Sequence, residues 1–192
     1  MNTTDDIHGN ISDNLQNYLS LFPEEICNLT LLQEQISSGE DLTDRKNFKG
    51  HITASGLIIS TDDQVLLIFH NMLKLYLQPG GHAEMDDICL INAAQREIAE
   101  ETGLNNVTPH KWHLQNNSPA TIATHLVPAN PKKCEEEHYH HDFMFLFSAP
   151  TKNLDLDTSE VSGFQWINLE EAGDMNVTIN KAILRYKHIN TH

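Results

Sequence analysis

Apolar residues along this chain follow two spacings, and the change from one to the other falls near residue 50. From Ile11 to Phe22, the residues Ile11, Leu15, Tyr18, Leu19 and Phe22 recur every three or four positions until Pro23, which predicts an amphipathic helix stopped by proline. Pro23-Glu24-Glu25 then opens a second helix through Ile26, Leu29, Leu32 and Ile36, ending near Ser38-Gly39. Proline is tolerated in a first turn, and acids suit its positive end. Residues 1–10 read as a frayed tail and residues 40–49 as a polar linker. Two short amphipathic helices cannot bury their stripes alone. They are expected to pack on the main domain, as a cap or as part of a pocket wall, or on a second subunit, which leaves a homodimer open.

Beyond residue 50 the pattern changes to strands. His51–Ser60 and Gln64–His70 are rich in β-branched and aliphatic residues and flank the turn Thr61-Asp62-Asp63. Residues 74–78 form a further short strand, Val107–Leu114 a weak one, Ala120–Val127 a better one, and His138–Ser148 the longest. Pro128, Pro131 and Lys132-Lys133 mark an exposed loop. Phe164–Ile167 is a short strand, Leu169–Ala172 begins a helical turn, and a last helix runs over Thr178–His188 with Ile179, Ala182, Ile183 and Tyr186 as its stripe. Strands, one central helix, more strands and a terminal helix predict an α/β fold with a mixed sheet between helices. The division expected is a helical extension over residues 1–45 and a main domain over residues 46–192.

Composition narrows the role. The chain has 192 residues, 39% of them hydrophobic, and a formal charge of −15. Such a surface repels nucleic acid and anionic membranes, so neither a nucleic-acid polymer nor a membrane is an expected partner. Cys27, Cys89 and Cys134 are scattered and odd in number, matching neither a disulfide framework nor a zinc knuckle. The start MNTTDDIHGN lacks the basic and apolar runs of a signal peptide, and no apolar stretch reaches the ~20 residues needed to cross a bilayer. A soluble, cytoplasmic protein is expected.

One stretch carries concentrated chemistry. Leu77–Leu104 runs from a short apolar strand through Pro79-Gly80-Gly81 into a helix ending at Gly103. Glu97, Glu100 and Glu101 are spaced i, i+3, i+4 and share a face, while Leu90, Ile91, Ala94 and Ile98 lie on a neighbouring one. Stacked carboxylates are either a solvated face or the ligands of a hard divalent cation such as Mg²⁺. The glycines favour the second reading, since they let main chain approach a ligand closely and can offer a carbonyl, that of Gly80, as a further ligand.

Gly81-x5-Asp87-x8-Arg96-Glu97-Ile98-x-Glu100-Glu101-x-Gly103-Leu104 resembles the signature box of the Nudix hydrolases, G-x5-E-x7-R-E-U-x-E-E-x-G-U, where U is a bulky aliphatic residue. Asp87 stands where the first Glu is expected, and the spacer after it is one residue longer. The half from Arg96 to Leu104 matches at every fixed position. The resemblance covers residues ~50–190 and implies a Nudix-type α/β/α sandwich that hydrolyses a nucleoside diphosphate derivative with Mg²⁺ or Mn²⁺. It implies Glu97 and Glu101 as metal ligands with Gly80, Glu100 as a bridging or water-holding carboxylate, and Arg96 as the residue orienting a box glutamate. Gly81, His82 and Glu84 would face the small-molecule diphosphate. The general base stays open among a box glutamate, Glu84, the run Glu135–Glu137, and Glu160.

The chain also holds 12 histidines. His51, His82, His125, His138 and His140 fall near the expected site and are candidates for substrate binding. Strand alternation puts His138, His140 and Asp142 on one face, a row suited to metal or phosphate. Gly50–Ser55 and Glu135–Asp142 also resemble stretches found together in some Nudix relatives. Three other readings compete with diphosphate hydrolysis. A non-catalytic sensor of a nucleotide or nucleotide sugar has no reason to keep the glutamates. A prenyl diphosphate isomerase needs a pocket cysteine, which neither Cys89 nor Cys134 supplies. A zinc protein would use His125, His138 and His140.

Overall fold

The computed structural model describes residues 6–131, 134–159 and 161–191. Its axis is strand β1, His51–Ser60, every residue of which is buried. A strand buried on both faces needs a layer on each side, and alternate residues of β1 enter two different cores. Ile52, Ala54 and Ile58 pack with Ala94 and Ile98 of helix α3 (Leu90–Thr102). Leu57 and Ile59 pack with Ala172 of helix α5 (Leu169–Met175) and with Ile179, Ala182 and Ile183 of helix α6 (Val177–Asn190). The result is an α/β/α sandwich.

Along one edge, β1 runs parallel to β7 (His138–Ala149), in register from His51 opposite His140 to Ser60 opposite Ala149. Its other edge is shared. Antiparallel β2 (Gln64–His70) pairs at Ile59, and a short strand β4 (Gly80–His82) takes Thr53 to Ser55. The sheet is completed by β3 (Leu75–Leu77) and β8 (Val161–Asn168) on β2, and by β5 (Thr108–Pro109) and β6 (Thr121–Val127) on β7. Because β1 changes partners along that edge, the sheet parts there.

The structure corrects three expectations from the sequence. Helix α1 spans Ile7–Leu21, so residues 6–10 are not a frayed tail: Asp6 accepts the Gly9 N–H at 2.8 Å and Ile7 is buried. The second predicted helix is a 3₁₀ helix, Pro23–Leu29, followed by α2, Thr30–Ser37. Residues 107–114 hold only the two-residue β5, and helix α4 follows over Lys111–Asn116. Here His113 is buried, accepting the Leu146 N–H on Nε2 and donating from Nδ1 to the Ser118 carbonyl; burial lowers its pKa to about 4.

The N-terminal helices share the core of the sheet. Ile7, Ile11, Leu15, Tyr18, Leu29 and Leu32 belong to the same buried cluster as Ile52 and Phe143. Glu25, also buried, receives Lys181 and Arg185 of α6, each at 2.8 Å. The Arg185 guanidinium also lies 3.5 Å from the Phe22 ring centre and donates to the Tyr18 hydroxyl. Among the described residues, no helix is long and apolar enough to cross a membrane. Residues 1–5, the pair Lys132-Lys133, Glu160 and His192 lie outside the described residues.

Candidate active site

Gly80 and Gly81, between the short apolar strand and the acidic helix, are paired with β1 as β4. A Cβ at Gly80 would come within 2.5 Å of the Ser55 Cβ, and one at Gly81 would overlap the Glu97 carboxylate. Only glycine lets the main chain approach both β1 and the acidic helix this closely. Helix α3 then begins at Leu90 with no cap from its own preceding side chains. Asn10 of α1 supplies it instead, its Oδ1 accepting the Leu90 N–H at 2.9 Å. The helix ends where Gly103 takes the left-handed conformation, φ 71°, a common way of closing a helix.

The three glutamates do not stand as one row. Glu97 and Glu101 are buried, while the Glu100 side chain is 58% exposed. Glu101 Oε2 accepts the Gly80 N–H at 2.9 Å. It is thus the Gly80 amide, not its carbonyl, that meets a carboxylate here. Burial raises the Glu97 pKa, and the Arg96 hydrogen bond and charge offset only part of that rise. Arg96 is the hub. Its Nε and Nη2 grip both oxygens of Asp87 at 3.2 and 3.0 Å, Nη1 reaches Glu97 at 2.8 Å and Glu100 at 3.4 Å, and Nη2 also donates to the His82 carbonyl. Asp87 therefore braces the loop through Arg96 and the Glu84 N–H rather than capping α3. The Glu84 side chain, half exposed, sits 3.6 Å from Arg45.

These residues open onto a cleft of about 520 Å³ where the sheet parts. Its walls include Glu97, Glu100, Glu101, Arg96, Gly80, Gly81, His82, Glu84, His125, His138 and His140. His51 is not in the wall but lies behind it, with its ring centre 4.8 Å from those of His138 and His140. The pairing explains this gathering: His51 and His125 both face His140, and His82 faces Thr53 on the adjacent strand. Burial, aided by the neighbouring imidazoles, lowers the His140 pKa to about 2, and burial also lowers that of His51. Burial thus disfavours the cationic form of both rings.

The cleft holds Asp142 of the H-x-H-x-D row and two residues, Asp157 and Ser159, that escaped the sequence reading. Asp142, at the floor, accepts the Thr53 hydroxyl at 3.1 Å and the Ser55 hydroxyl at 2.7 Å, with Gln78 at 3.4 Å, and burial raises its pKa. Asp157 and Ser159 also line the cleft, because Asp155 and Asp157 donate their N–H groups to carbonyls at the end of α3. No sequence pattern marks that loop. Of the candidate bases, Glu84 and Glu135 reach the wall, while Glu160 lies outside the described residues.

The carboxylates suit a hard cation. Glu97 and Glu101 are oxygen donors held beside a bend from which a side chain is missing. Burial favours the neutral form of Glu97, and a divalent ion bound there would favour the ionised one.

Comparison with known proteins identifies the family. Residues 49–186 match the NUDIX domain. A Lactococcus lactis subsp. cremoris (strain MG1363) protein named "Probable DHNTP pyrophosphohydrolase" is 29% identical over 161 residues, covering 84% of this chain and 87% of that one. A NUDIX-family hydrolase from Clostridium perfringens superposes with a TM-score of 0.54 at 24% identity, over 72% of this chain and 97% of its own. The E. coli dihydroneopterin triphosphate pyrophosphohydrolase gives 0.54 at 13% identity, over 70% and 93%. The fold is that of these NUDIX structures. The chain belongs to the NUDIX family, as a Nudix-type pyrophosphohydrolase.

Proposed function

We propose that this protein hydrolyses a diphosphate linkage in a nucleoside diphosphate derivative or related small molecule, with Mg²⁺ or Mn²⁺ as cofactor. The observation that carries the reading is the meeting of two buried carboxylates with one glycine bend: Glu101 on the Gly80 N–H, and Glu97 against Gly81. Divalent ions would neutralise phosphate oxygens and ease deprotonation of water. In this reading Glu97 and Glu101 hold the cation together with a main-chain oxygen at Gly80. Glu100, the exposed member, holds or deprotonates water. Arg96 fixes Glu97 in place. His82, Glu84 and Gly81 face the phosphates, and the mouth formed by His125 and Asp157 meets the remainder of the substrate. Residues 1–45 act as an extension docked on a Nudix domain of residues 46–192.

The named Lactococcus relative makes dihydroneopterin triphosphate the first compound to test. Phosphate or pyrophosphate release would be followed by ³¹P NMR on a panel of that compound, nucleoside triphosphates, nucleotide sugars and dinucleoside polyphosphates. At least one should turn over with Mg²⁺ or Mn²⁺, and Glu101→Gln should cost roughly a thousandfold, about 4 kcal/mol of transition-state stabilisation. Tight binding of a nucleotide sugar with no turnover anywhere on the panel would replace this reading with that of a sensor.

A further inference from the structure

Beside the acidic half of the cleft, three imidazoles converge on one point. His51, His138 and His140 each present a ring nitrogen, and these atoms all lie within 4.8 Å of one another. His138 Nε2 and His140 Nε2 are 3.1 Å apart. The strands impose the arrangement, since His51 and His140 are direct partners in the β1–β7 pairing and His138 precedes His140 on the same face. His51 and His138 are only 2% and 3% exposed.

Two of the rings are already fixed from outside. His51 Nδ1 faces the Asn47 carbonyl at 3.3 Å, and His138 Nδ1 faces the Glu136 carbonyl at 2.6 Å. A carbonyl only accepts, so both Nδ1 atoms carry a hydrogen, and in the neutral imidazole this leaves Nε2 as a bare lone pair. His140 can donate one N–H to His138 Nε2. That leaves His51 Nε2 buried with no hydrogen-bond partner among the described residues, a costly state for a polar atom. Bare Nε2 lone pairs cannot donate to phosphate either, so an anion clamp does not explain them. Imidazoles oriented by carbonyls on their outer nitrogens are the usual setting of histidine metal ligands.

We propose that His51, His138 and His140 form a site for a divalent transition ion of the zinc class, distinct from the box carboxylates. Three nitrogen donors suit zinc and disfavour Mg²⁺, which prefers oxygen. Three protein ligands leave a position for an exchangeable fourth, and His140, half buried in the cleft wall, puts that position on the cleft side. The trio differs from the His125, His138 and His140 set of the competing zinc reading: His125 is exposed on β6 and flanks His140, at 5.6 Å between ring centres.

The proposal is independent of what the acidic box hydrolyses, because metal uptake is read without substrate. Full-length protein stripped with EDTA would be titrated with Zn²⁺ in excess Mg²⁺, and with Co²⁺ to read the visible absorption of a low-coordinate nitrogen-ligated ion. One equivalent of Zn²⁺ should bind, resist Mg²⁺ and survive Glu101→Gln. His138→Gln and His140→Gln should each weaken binding on the order of 100-fold. The second, at a half-buried position, serves if the first fails to fold. No uptake by the wild type, displacement by Mg²⁺, loss in Glu101→Gln alone, or unchanged affinity in the folded histidine variants would each overturn the site.

Discussion

At Arg96 a single guanidinium meets Asp87, Glu97, Glu100 and the His82 carbonyl. Lysine would keep the charge but lose the planar fork that grips Asp87 with two parallel bonds. Arg96→Lys should therefore cut kcat/KM by about 10- to 100-fold, roughly 1.4–2.7 kcal/mol, with a smaller change in melting temperature; equal activity would mean the fork is dispensable. Glu97 yields a pH test. Its folded pKa is raised, so its contribution to stability is complete in acid, below the unfolded carboxylate value, and is lost as pH rises through the folded value. In EDTA, Glu97→Gln should melt higher than the wild type at neutral pH, and the gap should close in acid. Adding Mg²⁺ should raise only the wild type, by preferential binding to the folded state. The spacing of Glu97, Glu100 and Glu101 made the acidic turn legible in the sequence. It could not show that Glu97 and Glu101 are buried while Glu100 is exposed, because that depends on what the fold packs against the helix, such as Gly81 against Glu97.

Helix α3 shows what one element borrows from another. Its opening N–H at Leu90 is capped by Asn10, from a segment read in sequence as tail. Replacing a capping side chain with alanine costs about 1 kcal/mol, and Asn10→Ala should lower stability in urea by that amount while leaving the urea m-value unchanged. No loss would mean that water replaces the cap fully. Long strands such as β1 and β7 were legible because both periodicity and β-branching marked them. β4 was not, since Gly80-Gly81-His82 has neither; it is a strand only because β1 offers an unpaired edge there. Helix α4 was hidden likewise, because His113 reads as a polar interruption until its two hydrogen bonds are seen.

For the molecule as a whole, the N-terminal helices are fastened at Glu25. Burial pushes its carboxyl pKa up, but Lys181 and Arg185 outweigh that and hold it below the usual range. Such a group stabilises above its unfolded value, and the contribution fades as pH falls through the lowered one. Arg185→Ala should cost about 3 kcal/mol by leaving Glu25 buried with half its partners, and it should flatten the acid limb of stability against pH. An unchanged acid limb would show that the pair is not linked to folding. That this fastening exists could not be read from a helical stripe, which records only that something apolar lies opposite. Finally, β7 carries the histidine row at one end and Phe143, Phe145 and Phe147 on the opposite face further along. In a strand, slipping by one residue exchanges the faces. A misregistered chain would put aromatic rings toward α6 and turn its imidazoles away from the cleft in the same stroke. Correct register is thus a condition for the histidine row to reach the cleft, and a preparation should contain native protein or aggregate, with no well-folded but misregistered fraction between them.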